Sequence, residues 1–461
     1  MRLLFDHGTL VLAEAPELKL EGIPGLLWDP RFALFRAPAF RYAEVVGALG
    51  ARTRCGTLPA LRDEVKPCAL PQPSAWNAVE LRSYQRAVLL SWELAGRRGT
   101  IVLPTGSGKT QVALAALAAS GVRALCLVPT RVLLEQWMFA LRAVYRGPIG
   151  CLGDGRRELE AVTVSTFESA YRLMPRIGAQ FDLLVVDEVH HFGSGVRDEA
   201  LEMSIAEQRL GLTATPPNEP ARSRLAQLIG PVVHQSGIRD LAGTWLSDFE
   251  LLMVHLGLSR EERARYEADR RLFGEVNRRF RRLDPQASWQ EFVSAAAQSA
   301  EGRTALRAWH RNRRLLQFTR AKAHAVRVLL ERHRDARVLV FTADNEAAYA
   351  IAREHLVMPM TCDISRAERG AALAAFRAGT LRALVSARVL NEGLDVPNAE
   401  VAIVVSGTQG EREHLQRIGR LLRPAPGKRA LIYELVTLAT SEARRAVERR
   451  RALAPAGPAS R

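Results

Sequence analysis

The sequence predicts an α/β protein with two parallel-sheet lobes, a small N-terminal α+β domain and a helical, Arg-rich insertion. Short apolar runs alternate with helical stretches in two successive sets, and small or turn residues close most of the runs. An arginine-rich stretch without strand signals separates the two sets. Parallel sheets produce this alternation because helices cover both faces of every strand.

The elements follow in a clear order along the chain. Runs such as RLLF and TLVLAE, followed by a helical pattern near 42–49, predict a separate domain over 1–56. Four prolines and little periodicity predict a linker over 57–76. The first lobe covers 77–245, with strands at TIVLP, ALCLVP, AVTVS, DLLVVDE and QRLGLTAT. The second lobe covers 246–461, with strands at RVLVFT, RALVSA, VAIVVSG and ALIYELV and an insertion over about 259–317.

The charge distribution points to a polyanionic partner. The 461 residues carry 65 Lys+Arg against 49 Asp+Glu, a net charge of +16. Residues 260–335 hold 19 basic and 10 acidic side chains, a net +9, which fits either a phosphate-tracking face or a solvated helical surface. No apolar run approaches the roughly 20 residues that span a bilayer, so we expect no membrane partner. We expect a cytoplasmic protein, associated with the nucleoid if the source is prokaryotic.

A phosphate-binding loop is predicted at LPTGSGKT, residues 103–110, between a strand and a helix. Glycines there let backbone N–H groups close around phosphate oxygens at the positive end of a helix. The residues expected to cradle a nucleotide are Thr105, Gly106, Ser107 and Gly108. Lys109 should reach the β- and γ-phosphates, and Thr110 should ligate Mg²⁺. Leu103 replaces the first glycine of the general pattern, so the strand-loop-helix context carries the assignment.

An acidic pair, Asp187 and Glu188, closes the apolar run DLLVV downstream of this loop. Hydrolysis of ATP needs one carboxylate to hold the metal and a second group to polarise the attacking water. We therefore expect Asp187 to bind Mg²⁺ and Glu188 to act on the water. The histidines that follow are individually more typical of structural positions than of catalytic ones.

The second lobe carries QRIGRLLR at 416–423. On a helix, Gln416, Arg420 and Arg423 share one face, so two guanidiniums could point together at a γ-phosphate held by the other lobe. Such arginine fingers raise phosphoryl-transfer rates by about 10³ to 10⁵. A basic surface helix is the alternative interpretation.

Together the segments resemble the ordered motif set of superfamily 2 helicases. They are LPTGSGKT, VPTRVLLEQW, VSTFESA, DEVHHF, GLTATP, VLVFT, VLNEGLDVP and QRIGRLLRP. LRSYQ ahead of the phosphate loop and the DEVHHF form narrow the resemblance to XPB-type DNA repair helicases, especially the compact archaeal form. The resemblance covers nearly the whole chain. It implies two RecA-like lobes, an N-terminal damage-recognition domain and a thumb at the Arg-rich insertion.

The resemblance also implies roles for individual residues. The residues expected at the nucleotide are Arg82, Gln85, Gly393 and Asp395, with Gln85 at the adenine. Those expected to couple hydrolysis to lobe movement are His190, Thr213 and Thr215. Those expected at the DNA backbone are Thr130, Arg131 and Thr166, and the thumb arginines Arg278, Arg279, Arg281 and Arg282. The last four occupy no single helical face, so only some of them should touch DNA.

The implied activity is that of an ATP-dependent 3′–5′ DNA helicase or translocase in repair or transcription-linked remodelling. Its partner would be single-stranded, forked or damaged duplex DNA. One departure concerns strand separation: the family carries an Arg-Glu-Asp motif after the TAT motif, whereas this chain reads TPPNEP and keeps only Glu219. A nucleotide-controlled clamp that presents DNA to a partner nuclease and an RNA helicase are the alternatives. The sequence does not fix the oligomeric state.

Overall fold

The computed structural model describes residues 1–15, 20, 22–65, 72–195, 197–387, 399–406 and 429–451. The chain divides into two compact units, Met1–Ser236 and Gly237–Arg461. The first unit contains the N-terminal domain and the first lobe, and the second contains the helical insertion and the second lobe. The predicted lobe boundary at 245 and 246 therefore lies inside the second unit.

The N-terminal domain is a mixed sheet packed against a helix. Its elements are β1 (Arg2–Asp6), β2 (Thr9–Ala13), β3 (Leu27–Asp29), β4 (Leu34–Pro38), α1 (Tyr42–Arg54) and β5 (Arg62–Asp63). The strand order is β3-β4-β2-β1-β5, antiparallel except for the parallel β1–β5 pair. The α+β expectation is confirmed. Strand β5 lies within the predicted linker, because a two-residue charged strand beside prolines gives no apolar signal.

The first lobe is a sheet of eight strands within its described residues. Its elements are α2 (Ser83–Leu94), β6 (Arg98–Val102), α3 (Lys109–Ser120), β7 (Ala124–Val128), α4 (Arg131–Val144), β8 (Ile149–Gly153), β9 (Arg156–Glu158), β10 (Val162–Thr166), α5 (Phe167–Ile177), β11 (Leu183–Asp187), α6 (Glu199–Glu202), β12 (Gln208–Thr213), α7 (Ala221–Leu228) and β13 (Val232–Gln235). The order is β13-β6-β12-β11-β7-β10-β8-β9, and all pairs are parallel except β8–β9. All five predicted strands are present.

The N-terminal domain and the first lobe share apolar packing. Phe40 lies in the apolar cluster of the lobe, whereas Ala179 and Ile205 of the lobe lie in the cluster of the N-terminal domain. Gly8, at φ +87°, approaches Met203 so closely that an added Cβ would lie 2.4 Å from the methionine Cγ. The two regions therefore pack as one unit.

The second unit combines a parallel sheet with a helical insertion. Its elements are α8 (Ile238–Leu241), β14 (Asp248–Leu256), α9 (Arg260–Leu283), α10 (Trp289–Gln298), α11 (Ala300–Gln317), α12 (Arg320–Arg332), β15 (Val338–Phe341), α13 (Asn345–His355), β16 (Met358–Met360), α14 (Arg366–Ala378), β17 (Ala383–Ser386), β18 (Val401–Val404), β19 (Arg429–Thr437) and α15 (Ser441–Arg451). The order is β14-β19-β18-β15-β17-β16. The four predicted strands are present. No helix in the described ranges is both long and apolar enough to cross a membrane.

The insertion is the helical hairpin array α9–α11. Serine caps start its helices: Ser259 and Ser288 accept the N–H groups of Glu262 and Glu291 in capping boxes, which the S-x-x-E sequence encodes. An aromatic cluster joins the three helices and compensates for the polar character of α9. Its members are Phe273, Phe280, Trp289, Phe292 and Trp309.

A buried ion pair joins the last helix of the insertion to elements of the second lobe. Lys322 Nζ lies 2.7 Å from a carboxylate oxygen of Glu442 and donates to the Leu316 carbonyl at 2.7 Å. The other carboxylate oxygen accepts the Thr437 N–H at 3.0 Å. Both side chains of the pair are buried. The pair therefore joins α11, α12, β19 and α15, and loss of one partner would strand a charge in the interior.

We expect Lys322→Met to lower the free energy of unfolding by about 3–5 kcal/mol, because it leaves the Glu442 carboxylate buried and unpaired. The double variant Lys322→Met/Glu442→Gln should recover part of the loss, since a neutral amide still accepts the Thr437 N–H. Urea unfolding measures both values. Wild-type stability in the single variant would contradict this assignment.

Candidate active site

Strand order brings the predicted chemical groups to one edge of the first lobe. Strands β6, β12 and β11 are parallel neighbours, so their carboxyl ends meet at the same edge. The phosphate loop follows β6, Thr213 ends β12 and Asp187 ends β11. The Leu103 N–H donates to the Thr213 carbonyl at 3.0 Å and extends this pairing into the loop. Open parallel sheets bind ligands at this edge.

The phosphate loop has the backbone geometry that its glycines predict. Gly106 and Gly108 have φ values of +86° and +80°, which glycine adopts without strain. Gln85 Nε2 donates to the Ser107 carbonyl at 2.9 Å, and the Tyr84 hydroxyl donates to the same oxygen. An added Cβ on Gly108 would lie 2.5 Å from Gln85 Nε2. The side chain of Gln85 is therefore packed directly against the loop.

Arg82 and Gln85 are held together at the start of α2. The Arg82 N–H donates to Gln85 Oε1 at 2.9 Å, so both the oxygen and the nitrogen of the glutamine amide are held by hydrogen bonds. A cavity of about 350 Å³ opens beside them. Its lining residues are Glu80, Leu81, Arg82, Gln85, Gly106, Ser107, Gly108 and Gln111. The structure thus places Arg82 and Gln85, both predicted at the nucleotide, beside the phosphate loop.

Lys109 lies at the first position of α3, with its ammonium turned back onto the loop. Its Nζ donates to the Leu103 carbonyl at 3.1 Å, and the Pro104 carbonyl lies 3.5 Å away. Thr110, the next residue, is half-buried. Thr105 Oγ1 is buried and has no hydrogen-bond partner among the described residues. These groups form a donor-rich cradle for an anion with several oxygens.

The acidic pair consists of a buried Asp187 and a half-buried Glu188, and the two carboxyl groups differ in their electrostatic environment. Burial and the charge of Glu188 raise the pKa of Asp187 above the usual carboxyl range, and its bond with Trp137 opposes that shift. Burial works against ionisation of Glu188 as well, yet His190 and the Lys109 charge hold its pKa below the usual range. Glu188 also has a left-handed backbone, with φ +52°. The environment therefore favours an ionised Glu188 beside a carboxyl group that protonates more readily.

Trp137 is a site residue that the sequence motifs did not reveal. Its Nε1 donates to Asp187 Oδ2 at 2.9 Å, while the Glu188 N–H donates to Oδ1 at 3.0 Å. Both oxygens of Asp187 are thereby oriented. A buried tryptophan N–H needs an acceptor, which was the only available signal, and it does not identify the partner 50 residues away.

His190 connects the acidic pair with the TAT segment. Thr213 Oγ1 donates to the Thr215 carbonyl at 2.9 Å and accepts the Thr215 N–H at 3.3 Å. His190 Nδ1 lies 3.1 Å from the same hydroxyl and 3.3 Å from Glu188 Oε2. A hydroxyl has one hydrogen to donate, so Nδ1 must carry the proton in the contact with Thr213. A continuous set of contacts therefore runs from Glu188 through His190 to Thr213 and Thr215, and the coupling role of these residues stays a prediction.

The predicted backbone-contacting residues lie farther along the same edge, just after β7 and at the last residue of the neighbouring strand β10. Thr130 and Thr166 cap α4 and α5, since their hydroxyl oxygens accept the N–H groups of Leu133 and Ser169 at 3.3 Å. The exposed Arg131 pairs with an aspartate, 3.0 Å away. Two helix N-termini thus lie on adjacent strands, where they favour anions.

The four predicted thumb arginines divide into engaged and available side chains. Arg279 pairs with Glu301 at 3.0 Å, and Arg281 donates to the Ala287 carbonyl. Arg278 and Arg282 are exposed and one helical turn apart. Arg278 Nε donates only within its helix, and Arg282 has no ion-pair partner in the part of the chain that the structure describes. DNA contact by these residues stays a prediction.

Two further expectations concern the second lobe and the strand-separation motif. The residues that lie outside the described ranges are Gly393, Asp395, Gln416, Arg420 and Arg423. Glu219, the retained residue of the Arg-Glu-Asp motif, accepts the N–H and the hydroxyl of Ser223 at 3.3 and 2.8 Å. Its carboxylate therefore stabilises the start of α7.

Comparison with known proteins identifies the family. The family models that match are "Type III restriction enzyme, res subunit" over 78–218, "Helicase conserved C-terminal domain" over 321–425 and "Xeroderma pigmentosum group B helicase damage recognition domain" over 3–53. The DNA 3′-5′ translocase XPB2 of Sulfurisphaera tokodaii is 34% identical over 93% of this chain and 96% of its own length. The chain belongs to the XPB family of superfamily 2 helicases. The predicted family is confirmed.

Other relatives agree with this XPB assignment. The DNA 3′-5′ helicase XPB of Mycobacterium tuberculosis is 31% identical, and the match covers 86% of this chain and 66% of that protein. The crystal structure of the Pyrococcus furiosus Hef helicase domain has a TM-score of 0.58 at 17% identity and covers 80% of this chain and 98% of that domain, which supports the fold. The insertion lies between the matched segments. XPB-type enzymes are ATP-dependent, so the expected helicase or translocase class is confirmed.

The contact between Trp137 and Asp187 makes a pH-dependent prediction. Trp137→Phe keeps an aromatic ring but removes the N–H that favours the ionised carboxylate, so the pKa of Asp187 should rise further. If turnover needs ionised Asp187, the acid limb of the rate profile should move to higher pH, and the rate should approach wild type under alkaline conditions. ATP turnover measured against pH tests this. An equal fractional loss at every pH would indicate that the indole acts only in packing.

Proposed function

We propose that this protein is an ATP-driven motor that moves 3′–5′ on DNA in repair or transcription-linked remodelling. The observation that carries the proposal is the connected edge of the first lobe. There the phosphate loop, the acidic pair and the TAT segment end neighbouring strands, and His190 bridges Glu188 to Thr213. The printed names of the XPB relatives, a DNA 3′-5′ translocase and a DNA 3′-5′ helicase, support the direction of movement.

A magnesium ion fits the donors at this site. The buried Asp187 and the hydroxyl of Thr110, at the second position of α3, supply hard oxygen ligands, and Glu188 lies beside Asp187. Bound Mg²⁺ would neutralise charge on the β- and γ-phosphates. In the proposal Asp187 and Thr110 hold the ion. Lys109 exchanges its carbonyl contacts for phosphate oxygens, and ionised Glu188 accepts a hydrogen bond from the attacking water.

The remaining nucleotide contacts are proposed from the XPB resemblance. Gln85 would read the adenine, because its amide already lies fixed beside the phosphate loop. Gly393 and Asp395 would lie near the nucleotide. The second lobe would contribute the arginine-finger helix, with Gln416, Arg420 and Arg423 on one face.

Translocation is favoured over efficient strand separation. The chain lacks the Arg and Asp of the Arg-Glu-Asp motif, and the remaining Glu219 is engaged at the start of α7. The same observation favours a second candidate, in which ATP controls a DNA clamp that presents its substrate to a partner nuclease. A processive motor and a clamp differ in ATP consumption per DNA bound, which separates the two candidates.

The catalytic assignment predicts two distinct losses. Lys109→Ala should abolish DNA-stimulated ATP turnover and weaken nucleotide binding, because it deletes the charge that meets the phosphates. Glu188→Gln should abolish turnover while nucleotide binding survives, since the amide keeps its shape but not its basicity. Turnover on duplex, forked and single-stranded DNA and on RNA is measured beside binding of a fluorescent nucleotide. Equal loss of binding in the two variants would assign Glu188 a structural role, and stimulation by RNA alone would favour an RNA helicase.

The division of the thumb arginines predicts unequal effects on DNA binding. Arg282→Gln should weaken binding to unrelated duplex sequences about equally and flatten the salt slope by roughly 0.9, the value for one lost phosphate contact. Arg279→Gln is the matched control, because it removes the same charge from a guanidinium already paired with Glu301. Fluorescence anisotropy at several salt concentrations measures both. If both variants kept the wild-type salt dependence of DNA binding, Arg282 would not contact DNA and this helix face would have only a structural role.

A further inference from the structure

We propose that a groove formed by α9, α11 and the start of α15 holds unpaired nucleotides of a DNA strand. The groove lies wholly within the second unit and has a volume of about 900 Å³. Nothing in the helicase motifs falls on it. The proposal rests on the proposed function, because a DNA motor supplies the strand that would enter the groove.

The charge of the groove identifies an anionic ligand. Its lining includes Arg270, Arg313, Arg444 and Arg445, and no Asp or Glu lines it among the described residues. Arg445 contacts the backbone and hydroxyl oxygens of Ser441 at 3.2 Å. Arg270 and Arg444 are exposed, and Arg270 has no ion-pair partner among the side chains that the structure describes. Several arginines concentrated around one cavity favour phosphate, which guanidinium binds through paired hydrogen bonds.

The concave shape of the groove distinguishes it from the other basic parts of the insertion. Three guanidiniums elsewhere on the insertion, those of Arg265, Arg279 and Arg311, have acidic partners, and Arg278 and Arg282 lie exposed on a helix. The groove instead gathers four arginines around one cavity. A focused positive potential in a concave surface attracts polyanions more strongly than the same charge spread over a helix.

Aromatic side chains in the groove favour unpaired bases over a duplex. Phe273 and Trp309 line it and are half-buried, and the Arg313 guanidinium lies 4.7 Å from the Trp309 ring centroid. Exposed bases stack on such rings and on arginine planes, whereas paired bases keep their faces inside the helix. The volume falls within the roughly 300–1,000 Å³ range of small-ligand pockets, so it suits a few nucleotides.

Hydrogen bonds between the three elements fix the shape of the groove. The backbone N–H of Ser441 donates to the hydroxyl of the buried Tyr266 at 3.1 Å, and Asn312 Nδ2 donates to the Tyr266 carbonyl at 3.1 Å. These bonds hold α9, α11 and α15 together without a ligand. A preformed site loses less conformational freedom on binding.

The test compares two variants with equal loss of charge. Arg270→Gln/Arg444→Gln removes two groove arginines, and Arg332→Gln/Arg353→Gln removes two exposed arginines of the same unit that do not line the groove. Binding of a short fluorescein-labelled oligothymidylate is measured by anisotropy over a range of salt. The groove variant should bind about tenfold or more weakly, and its salt slope should fall by roughly 0.7 for each lost contact. The control should match wild type.

A third variant tests the stacking step. Phe273→Leu keeps apolar bulk but removes the aromatic face, so it should weaken oligothymidylate binding while leaving the affinity for polyglutamate unchanged. Unfolding midpoints equal to wild type would establish that each variant is folded. If Arg270→Gln/Arg444→Gln unfolds at lower temperature than wild type, Arg270→Gln alone, at an exposed position, tests the effect of lost charge on oligothymidylate binding.

The outcomes separate this proposal from the proposed function. Wild-type affinity and salt slope in Arg270→Gln/Arg444→Gln would overturn the groove assignment while DNA-stimulated ATP turnover still supported the motor. Equal weakening of oligothymidylate and polyglutamate by the arginine substitutions, with no effect of Phe273→Leu, would also overturn it and indicate an acidic protein partner. Absence of both DNA binding and DNA-stimulated turnover in the wild type would instead contradict the proposed function.

Discussion

Parallel pairing of β6, β12 and β11 is the constraint on which the account depends. Thr213 lies opposite Val102, and Asp187 lies opposite Leu212, so the three strands end at nearly the same level. The loop after β6 can then place its backbone N–H groups beside a carboxylate and a threonine from distant parts of the chain. A register slip of one residue would turn these side chains to the other face of the sheet.

Burial at this edge of the sheet shifts the pKa values of the acidic pair. Charges interact strongly where burial lowers the local dielectric constant. For this reason the pKa of Asp187 is raised above the usual carboxyl range, and the pKa of Glu188 is lowered below it. The hydrogen bond from Trp137 lowers the pKa of Asp187, His190 lowers the pKa of Glu188, and the charge of Lys109 lowers both. Contacts from His190 to Thr213 and from Thr213 to Thr215 join the acidic pair to the TAT segment. In the proposed motor, they would give hydrolysis a physical route to conformational change.

Local patterns in the sequence predict the strands and the phosphate loop, whereas features that depend on partners far along the chain leave no local signal. Buried runs such as ALCLV and LLVVD identify central strands, and glycines with a following lysine identify the phosphate loop. Strand β14 was not predicted, because the partly exposed strand forms only when β19 pairs with it. The role of Trp137 likewise depends on Asp187, and the engagement of Arg279 depends on Glu301. Tertiary pairing, absent from local periodicity, creates each of these features.

The most direct test of the coupling between ATP and movement is the number of ATP molecules hydrolysed per triplex strand displaced from duplex DNA, compared between wild type and Thr213→Val. Valine has a similar shape but removes the hydroxyl that joins His190 to Thr215. The account predicts ATP-dependent displacement by the wild type and a much larger ATP consumption per displacement in the variant. An unchanged ratio would contradict the route through Thr213, and wild-type ATP turnover without any displacement would contradict a DNA motor.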